Sequence, residues 1–127
     1  METRQRSMIL GFHDVSPLED YIALFEYNKY KVDIADSLDK MKEMLQEKQY
    51  DVCLMDGNFG SRGSQDPTSS QVIYNGFFKK RVENGKAIFR ALSNSDVTVK
   101  NAQELGIPSE PKPVSESLYN QIIDFYP

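Results

Sequence analysis

At positions 50–58 the chain reads Tyr50-Asp51-Val52-Cys53-Leu54-Met55-Asp56-Gly57-Asn58. The apolar run in this stretch is typical of a buried strand, and the strand ends in the carboxylate of Asp56, on a turn that contains glycine. Packing explains poorly a charge at the point where a buried strand meets a loop. We therefore interpret Asp56 as a functional residue; the alternative is a turn-forming aspartate, since Asp-Gly is a common turn pair.

The rest of the chain alternates strands with helices around this segment. Strands are predicted at 7–12, 31–35, 50–55, 86–92 and 107–111. Helices are predicted at 16–25, 36–49, 70–84, 96–105 and 115–125. Ser16 is the expected N-cap of the first helix, and the last strand is expected at an edge because prolines interrupt it. The alternation predicts a doubly wound α/β fold with five parallel strands and helices on both faces.

Polar residues follow three of the other predicted strands as Asp56 follows the third. They are Asp14, Ser93 and Lys112. Because the carboxyl ends of parallel strands lie along one edge of a sheet, we expect these side chains to converge on Asp56. Each has an alternative: a turn residue before Ser16 for Asp14, ordinary loop composition for Ser93 and a solvated surface charge for Lys112.

The composition excludes several classes of function. A chain of 127 residues suits one domain, 1–127. A net charge of −4 and a pI near 5.0 give no broad attraction to phosphate backbones or anionic lipid, so we expect no direct nucleic-acid partner and no membrane partner. The apolar run at 8–12 is too short to span a bilayer or to serve as a secretory signal. With Cys53 as a single, buried thiol, we predict a cytoplasmic protein.

In order and spacing, these residues resemble those of the receiver domain of two-component response regulators, the CheY-like family. In that family an acidic pair ends the first strand, an aspartate the third, a serine or threonine the fourth, and a Lys-Pro pair follows the fifth. The corresponding residues here are His13-Asp14, Asp56, Ser93 and Lys112-Pro113. The resemblance spans about 8–125. It implies a flavodoxin-like, CheY-like sheet with strand order 2-1-3-4-5, and the family uses a cis peptide bond before the proline of the Lys-Pro pair.

The resemblance also implies a function. Asp56 would accept a phosphoryl group from a histidine kinase or phosphotransfer protein, with Mg²⁺ held by Asp14, Asp56 and the backbone carbonyl of Asn58. Lys112 would pair with Asp56 and then with the phosphoryl group, and Ser93 would donate its hydroxyl to a phosphoryl oxygen. The resulting conformational change would signal to a downstream protein target or effector domain. Such a domain catalyses only its own phosphorylation and dephosphorylation, so we do not expect an enzyme.

Three features depart from the family pattern. His13 replaces the first acid of the pair, which predicts weaker Mg²⁺ binding and makes His13 a candidate ligand for a transition metal or a source of pH sensitivity. The alternative is a partly buried histidine that is hydrogen-bonded beside Asp14. Ser109 stands where many relatives have an aromatic ring that rotates inward on activation. The loop 57–70 is longer than in the family, and we predict that this loop is disordered; the alternatives are that it binds a partner or restricts access to the site.

Two other functions compete with a phosphoacceptor. The first is a degenerate pseudo-receiver, a protein-binding module that no longer depends on phosphorylation. The second is a small α/β enzyme or flavin carrier. A mononucleotide site would need a phosphate-cradling loop after the first strand, where the stretch 13–17 is acidic and lacks glycine. A haloacid-dehalogenase-like phosphatase would need a second aspartate where Asn58 stands.

Overall fold

The predicted sheet is confirmed. A computed structural model describes residues 5–57, 59 and 67–127. Its strands are β1 Arg6–Gly11, β2 Tyr30–Ala35, β3 Val52–Asp56, β4 Ile88–Ser93 and β5 Ser109–Pro111. They pair in parallel in the order β2-β1-β3-β4-β5, so the short, proline-ended β5 lies at an edge as predicted.

Helical segments connect the strands. They are α1 Glu19–Tyr27, α2 Leu38–Glu47, α3 Thr68–Ile73, α4 Lys79–Glu83, α5 Asp96–Glu104 and α6 Glu116–Ile123, with a π-helical turn at Tyr74–Phe78 joining α3 to α4. Three serines cap helices by accepting a backbone N–H three residues on: Ser37 at α2, Ser95 at α5 and Ser115 at α6.

The predicted start of the first helix is wrong. Ser16 and Pro17 form a 3₁₀ turn, Ser16–Leu18, and the α-helix begins only at Glu19. The turn follows Val15, and its start has no side-chain cap. The physical reason is the preceding carboxylate: Asp14 accepts the backbone N–H of Ser16, which folds the chain into a tight turn before the helix.

The sheet is covered on both faces, as predicted. Successive strand residues point to opposite faces, so Met8 and Leu10 of β1 join one buried cluster while Ile9 joins the other. One cluster packs α1 and α6 against the sheet; the other packs α2, the helical segment 68–83 and α5. Among the described residues, every helix is too short or too polar to cross a membrane.

The end of the sheet that faces away from Asp56 carries a buried arginine. Arg6, at the start of β1, is 3% exposed. Its guanidinium donates to the carbonyl oxygens of Ile123, the last residue of α6, at 2.8 Å and of Phe125 at 3.0 Å. It also donates to the carbonyl oxygen of Asn28, directly after α1. It also lies 4.2 Å from the ring centroid of Tyr30 and 4.1 Å from that of Tyr126. The first strand is thereby fastened to the C-terminal segment.

Candidate functional site

Asp56 and Lys112 meet at the carboxyl edge of the sheet. Asp56 is the last residue of β3, and 16% of its side chain is exposed. Lys112 follows β5, and its Nζ forms an ion pair with Asp56 Oδ1. The lysine backbone is also fixed, because its N–H donates to the carbonyl oxygen of Ser93 at 2.9 Å. The peptide bond that follows, to Pro113, is cis. A cationic group therefore stands beside a half-buried carboxylate at the end of a central strand.

Ser93 lies next to the turn that follows Asp56. It ends β4 and is buried, and its Oγ accepts the backbone N–H of Ser95 at 3.0 Å. A Cβ added at Gly57 would stand 3.4 Å from Ser93 Cβ and 3.1 Å from Thr98 Cγ2. A hydroxyl that accepts one hydrogen bond keeps its own O–H to donate. Ser93 is thus placed beside the acceptor segment and in contact with the start of α5.

Asp14 joins this edge through a shared cavity. Its carboxylate is exposed and accepts the backbone N–H of Ser16 at 2.9 Å. Hydrogen bonding to Ser16 holds the pKa of Asp14 below its usual value, so the group is a carboxylate at neutral pH. Asp14 therefore has the turn role that we considered as its alternative, and it also lines a cavity with Lys112.

The cavity has a volume of about 210 Å³ and mostly apolar walls. Its lining residues are Phe12, Asp14, Pro17, Leu18, Leu92, Asn94, Lys112 and Pro113. Sequence reasoning did not single out Phe12 or Asn94. In the sequence, only their positions could have indicated that these two residues belong to the site, because Phe12 directly precedes His13-Asp14 and Asn94 directly follows Ser93.

His13 differs from its expected surroundings. We considered a partly buried histidine hydrogen-bonded beside Asp14; the hydrogen bond is present, but the predicted burial is wrong. The side chain is exposed, its Nδ1 lies 3.1 Å from the carbonyl oxygen of Asp36, and its ring packs edge-on against Phe59 at 4.8 Å between centroids. The physical reason is that β2 lies beside β1, so the residue after β2 supplies the nearest carbonyl oxygen.

Two carboxylates at this edge, Asp14 and Asp56, are candidate ligands for a divalent cation. Asp14 and Asp56 supply oxygen donors, which Mg²⁺ prefers, and such a cation commonly keeps several waters. Within residues 5–57, 59 and 67–127, no group of three His, Cys, Asp or Glu side chains could hold a metal ion. Asn58, whose carbonyl the resemblance assigns to the metal, lies outside the described residues, as do 60–66 of the predicted loop 57–70. The predicted end of that loop is wrong, because Thr68 to Ser70 form the first turn of α3, where Ser69 and Ser70 are buried.

Ser109 has a structural role in β5. It is buried, and its Oγ donates to the carbonyl oxygen of Ala91 at 3.0 Å, which reinforces the pairing of β4 with the edge strand. A small hydroxyl at this position holds two strands together. It offers no ring to rotate inward.

Comparisons with known proteins bear on the fold. No family model and no curated protein matches the sequence. The structure is similar to a solved structure described as a response regulator receiver domain protein from Clostridium thermocellum, with a TM-score of 0.64 and 15% sequence identity. The match covers 94% of this chain and 91% of that chain. The resemblance inferred from the sequence is therefore confirmed at the level of architecture: the chain has the CheY-like fold of a receiver domain.

Proposed function

We propose that the chain is a phosphoacceptor receiver domain of a two-component response regulator. The single observation that carries this proposal is the ion pair between Lys112 and Asp56 at the carboxyl edge of the sheet. A half-buried carboxylate with a lysine at its oxygen is suited to a reaction in which negative charge arrives at that oxygen and must be compensated.

The reaction is a phosphoryl transfer from a phosphohistidine of a histidine kinase or phosphotransfer protein. A carboxylate oxygen of Asp56 attacks the phosphorus; the new P–O bond forms as the P–N bond breaks, and the electron pair of that bond passes to the imidazole nitrogen. Lys112 stays beside the acceptor throughout and pairs with a phosphoryl oxygen afterwards. Bound Mg²⁺, held by Asp14, Asp56 and the Asn58 carbonyl, would neutralise charge on the moving group.

The proposed signal travels through Ser93 to α5 and β5. Donation of the Ser93 hydroxyl to a phosphoryl oxygen would draw its loop towards Asp56. That loop includes Ser95, whose Oγ caps α5 at the N–H of Thr98 at 3.2 Å. The carbonyl of Ser93 also holds Lys112. A movement of Ser93 is therefore coupled to the first turn of α5 and to the residue after β5.

Signalling of this kind transforms no metabolite, so we propose a protein that catalyses only its own phosphorylation and dephosphorylation. Its partners would be a kinase or phosphotransfer protein and a downstream protein target or effector domain, in the cytoplasm.

Labelling with a small phosphodonor tests the proposal. We expect acetyl phosphate with Mg²⁺ to add one phosphoryl group to the protein, detected by intact mass. Asp56→Asn should abolish the labelling. Asp39→Asn is the matched control, because Asp39 is exposed on α2. Asp51 is nearer to Asp56 in the sequence but is unsuitable as a control, because it is buried and accepts the N–H of Ser7. Labelling that persists in Asp56→Asn would contradict the proposal.

A pseudo-receiver is the second candidate, and two observations favour it. His13 replaces an acid, with its Nδ1 at a carbonyl oxygen, and Ser109 bridges two strands in place of a switching ring. In that case the chain would bind its protein partner without phosphorylation. Absence of labelling in the parent protein at saturating Mg²⁺, together with unchanged amide shifts on adding beryllofluoride, would favour this candidate.

A further inference from the structure

Phe12 is an aromatic residue at the proposed phosphoacceptor edge that sequence reasoning did not single out. It directly follows β1 and is 3% exposed. Its backbone N–H donates to the carbonyl oxygen of Ala35 at 3.2 Å, and its ring belongs to the apolar cluster that contains Leu92 and Val114. The ring is therefore held in place from both its backbone and its packing.

The ring lies close to the lysine of the site. Lys112 Nζ is 5.5 Å from the centroid of the Phe12 ring, within the range over which a ring face attracts an ammonium group. The same ammonium forms the ion pair with Asp56. Two partners of different kinds thus act on one cation: a carboxylate whose charge distribution changes on phosphorylation, and a ring that stays the same.

The lysine also has space to move away. Its backbone is fixed at Ser93, but a lysine side chain is a flexible four-carbon chain with many rotamers. The cavity of about 210 Å³ adjoins it, and Phe12 forms part of its wall. Without an attractive wall, the ammonium would spread over these positions and spend less time at the acceptor.

We propose that Phe12 is a positioning residue whose ring holds the Lys112 ammonium at Asp56. This inference rests on the proposed function for its consequence, because the ring would keep the cation in place while the carboxylate becomes an acyl phosphate. The contact itself does not depend on phosphorylation, so it can be tested separately.

The first test is spectroscopic and needs no phosphodonor. An aromatic ring shifts the proton resonances of a nearby methylene group, so the Lys112 Cε protons should be displaced from ordinary lysine values in ¹³C-resolved spectra. Phe12→Leu should remove the displacement, and Phe12→Tyr should keep it. Ordinary Lys112 shifts in the parent, or the same displacement in Phe12→Leu, would overturn the proposal whether or not the protein can be phosphorylated.

The second test measures beryllofluoride affinity with Mg²⁺ in a double-mutant cycle. Phe12→Leu should weaken binding about two- to five-fold, which converts to about 0.4–1 kcal/mol at 1.36 kcal/mol per tenfold. In a Lys112→Met background, Phe12→Leu should have no further effect on beryllofluoride affinity. Phe12→Tyr in the parent protein should keep the parent affinity. Equal weakening in both backgrounds would show a general packing effect and overturn the proposal.

The two tests distinguish failure of the Phe12 proposal from failure of the proposed function. If the parent binds no beryllofluoride, the proposed function fails, and the methylene shifts still decide the placement of Lys112 by Phe12. Urea unfolding of each variant identifies a loss of folding, and Phe12→Tyr then carries the comparison, because it retains the ring and most of the buried surface.

Discussion

Replacing Arg6 with methionine should cost a large part of the stability of the fold. Arg6→Met keeps a long, flexible apolar stem but removes the donors to the carbonyl oxygens of Ile123 at 2.8 Å and Phe125 at 3.0 Å. Hydrogen bonds from a charged group contribute about 1.5–3 kcal/mol each. The acceptors are backbone groups that no side-chain substitution removes, so the variant leaves them without these donors.

We expect the free energy of unfolding to fall by roughly 3–5 kcal/mol, against a total of about 5–15 kcal/mol for a domain of ordinary stability. Solvent screening reduces this little, because Arg6 is 3% exposed. Urea unfolding followed by circular dichroism measures the change. Hydrogen exchange should also show that α6 loses protection first, since the guanidinium binds the carbonyl oxygens of its last residue, Ile123, and of Phe125.

Lys31→Met is the matched control. Lys31 pairs with Ser7 in the register of β1 with β2, and its side chain is exposed. The control should shift stability by no more than about 0.5 kcal/mol. An Arg6→Met variant within about 1 kcal/mol of the parent would refute the reasoning, because it would mean that water or a local shift satisfies the carbonyl groups at no net cost.

Three further predictions concern the core and its ionisable groups. Gly11→Ala should destabilise the protein by about 1 kcal/mol in urea unfolding, because the new methyl group would stand 3.2 Å from Met55 Cβ and would displace the end of the buried Met41 side chain, whose Sδ lies 2.7 Å away; an unchanged midpoint would contradict this. Burial raises the pKa of Asp33, but hydrogen bonding, led by the Tyr50 phenol at 2.7 Å, outweighs it and leaves the pKa below its usual value. The stability that the Asp33 carboxylate contributes is therefore present above its unfolded pKa and is lost as the pH falls from about 4. The Tyr50→Phe variant should lose less stability than the parent over this pH range, and parallel acid-unfolding curves for the two proteins would contradict the prediction. Burial raises the pKa of the Cys53 thiol, so a disulfide reagent should react only after unfolding, and fast labelling of the folded protein would contradict the buried site.

The sheet could be predicted because its signals are local. The run Val52–Asp56 is buried up to the residue where its charge appears, and the prolines near β5 mark an edge. Serine caps likewise act within three residues of themselves. The start of α1 was mispredicted because two local signals competed: Ser16 could cap a helix, but Asp14 captured its N–H first.

The convergence of Lys112 on Asp56 followed from topology, since parallel strands in this order bring their carboxyl ends to one edge. The surroundings of Arg6 and Phe12 could not be predicted in the same way. Arg6 binds carbonyl groups more than 115 positions away, and a backbone acceptor leaves no mark in the sequence. Phe12 reads simply as a strand residue until the fold places Lys112 over its ring.

The close packing around Gly57 offers a way to displace α5 by mutation alone. Because a methyl group there would press on Thr98 in the first turn of α5, a substitution at this position would act as a wedge between the acceptor turn and that helix. Such a wedge would push outward, opposite to the inward pull of a modified side chain. A graded series of residues at position 57 could therefore set the helix at chosen displacements with no kinase, phosphodonor or metal present.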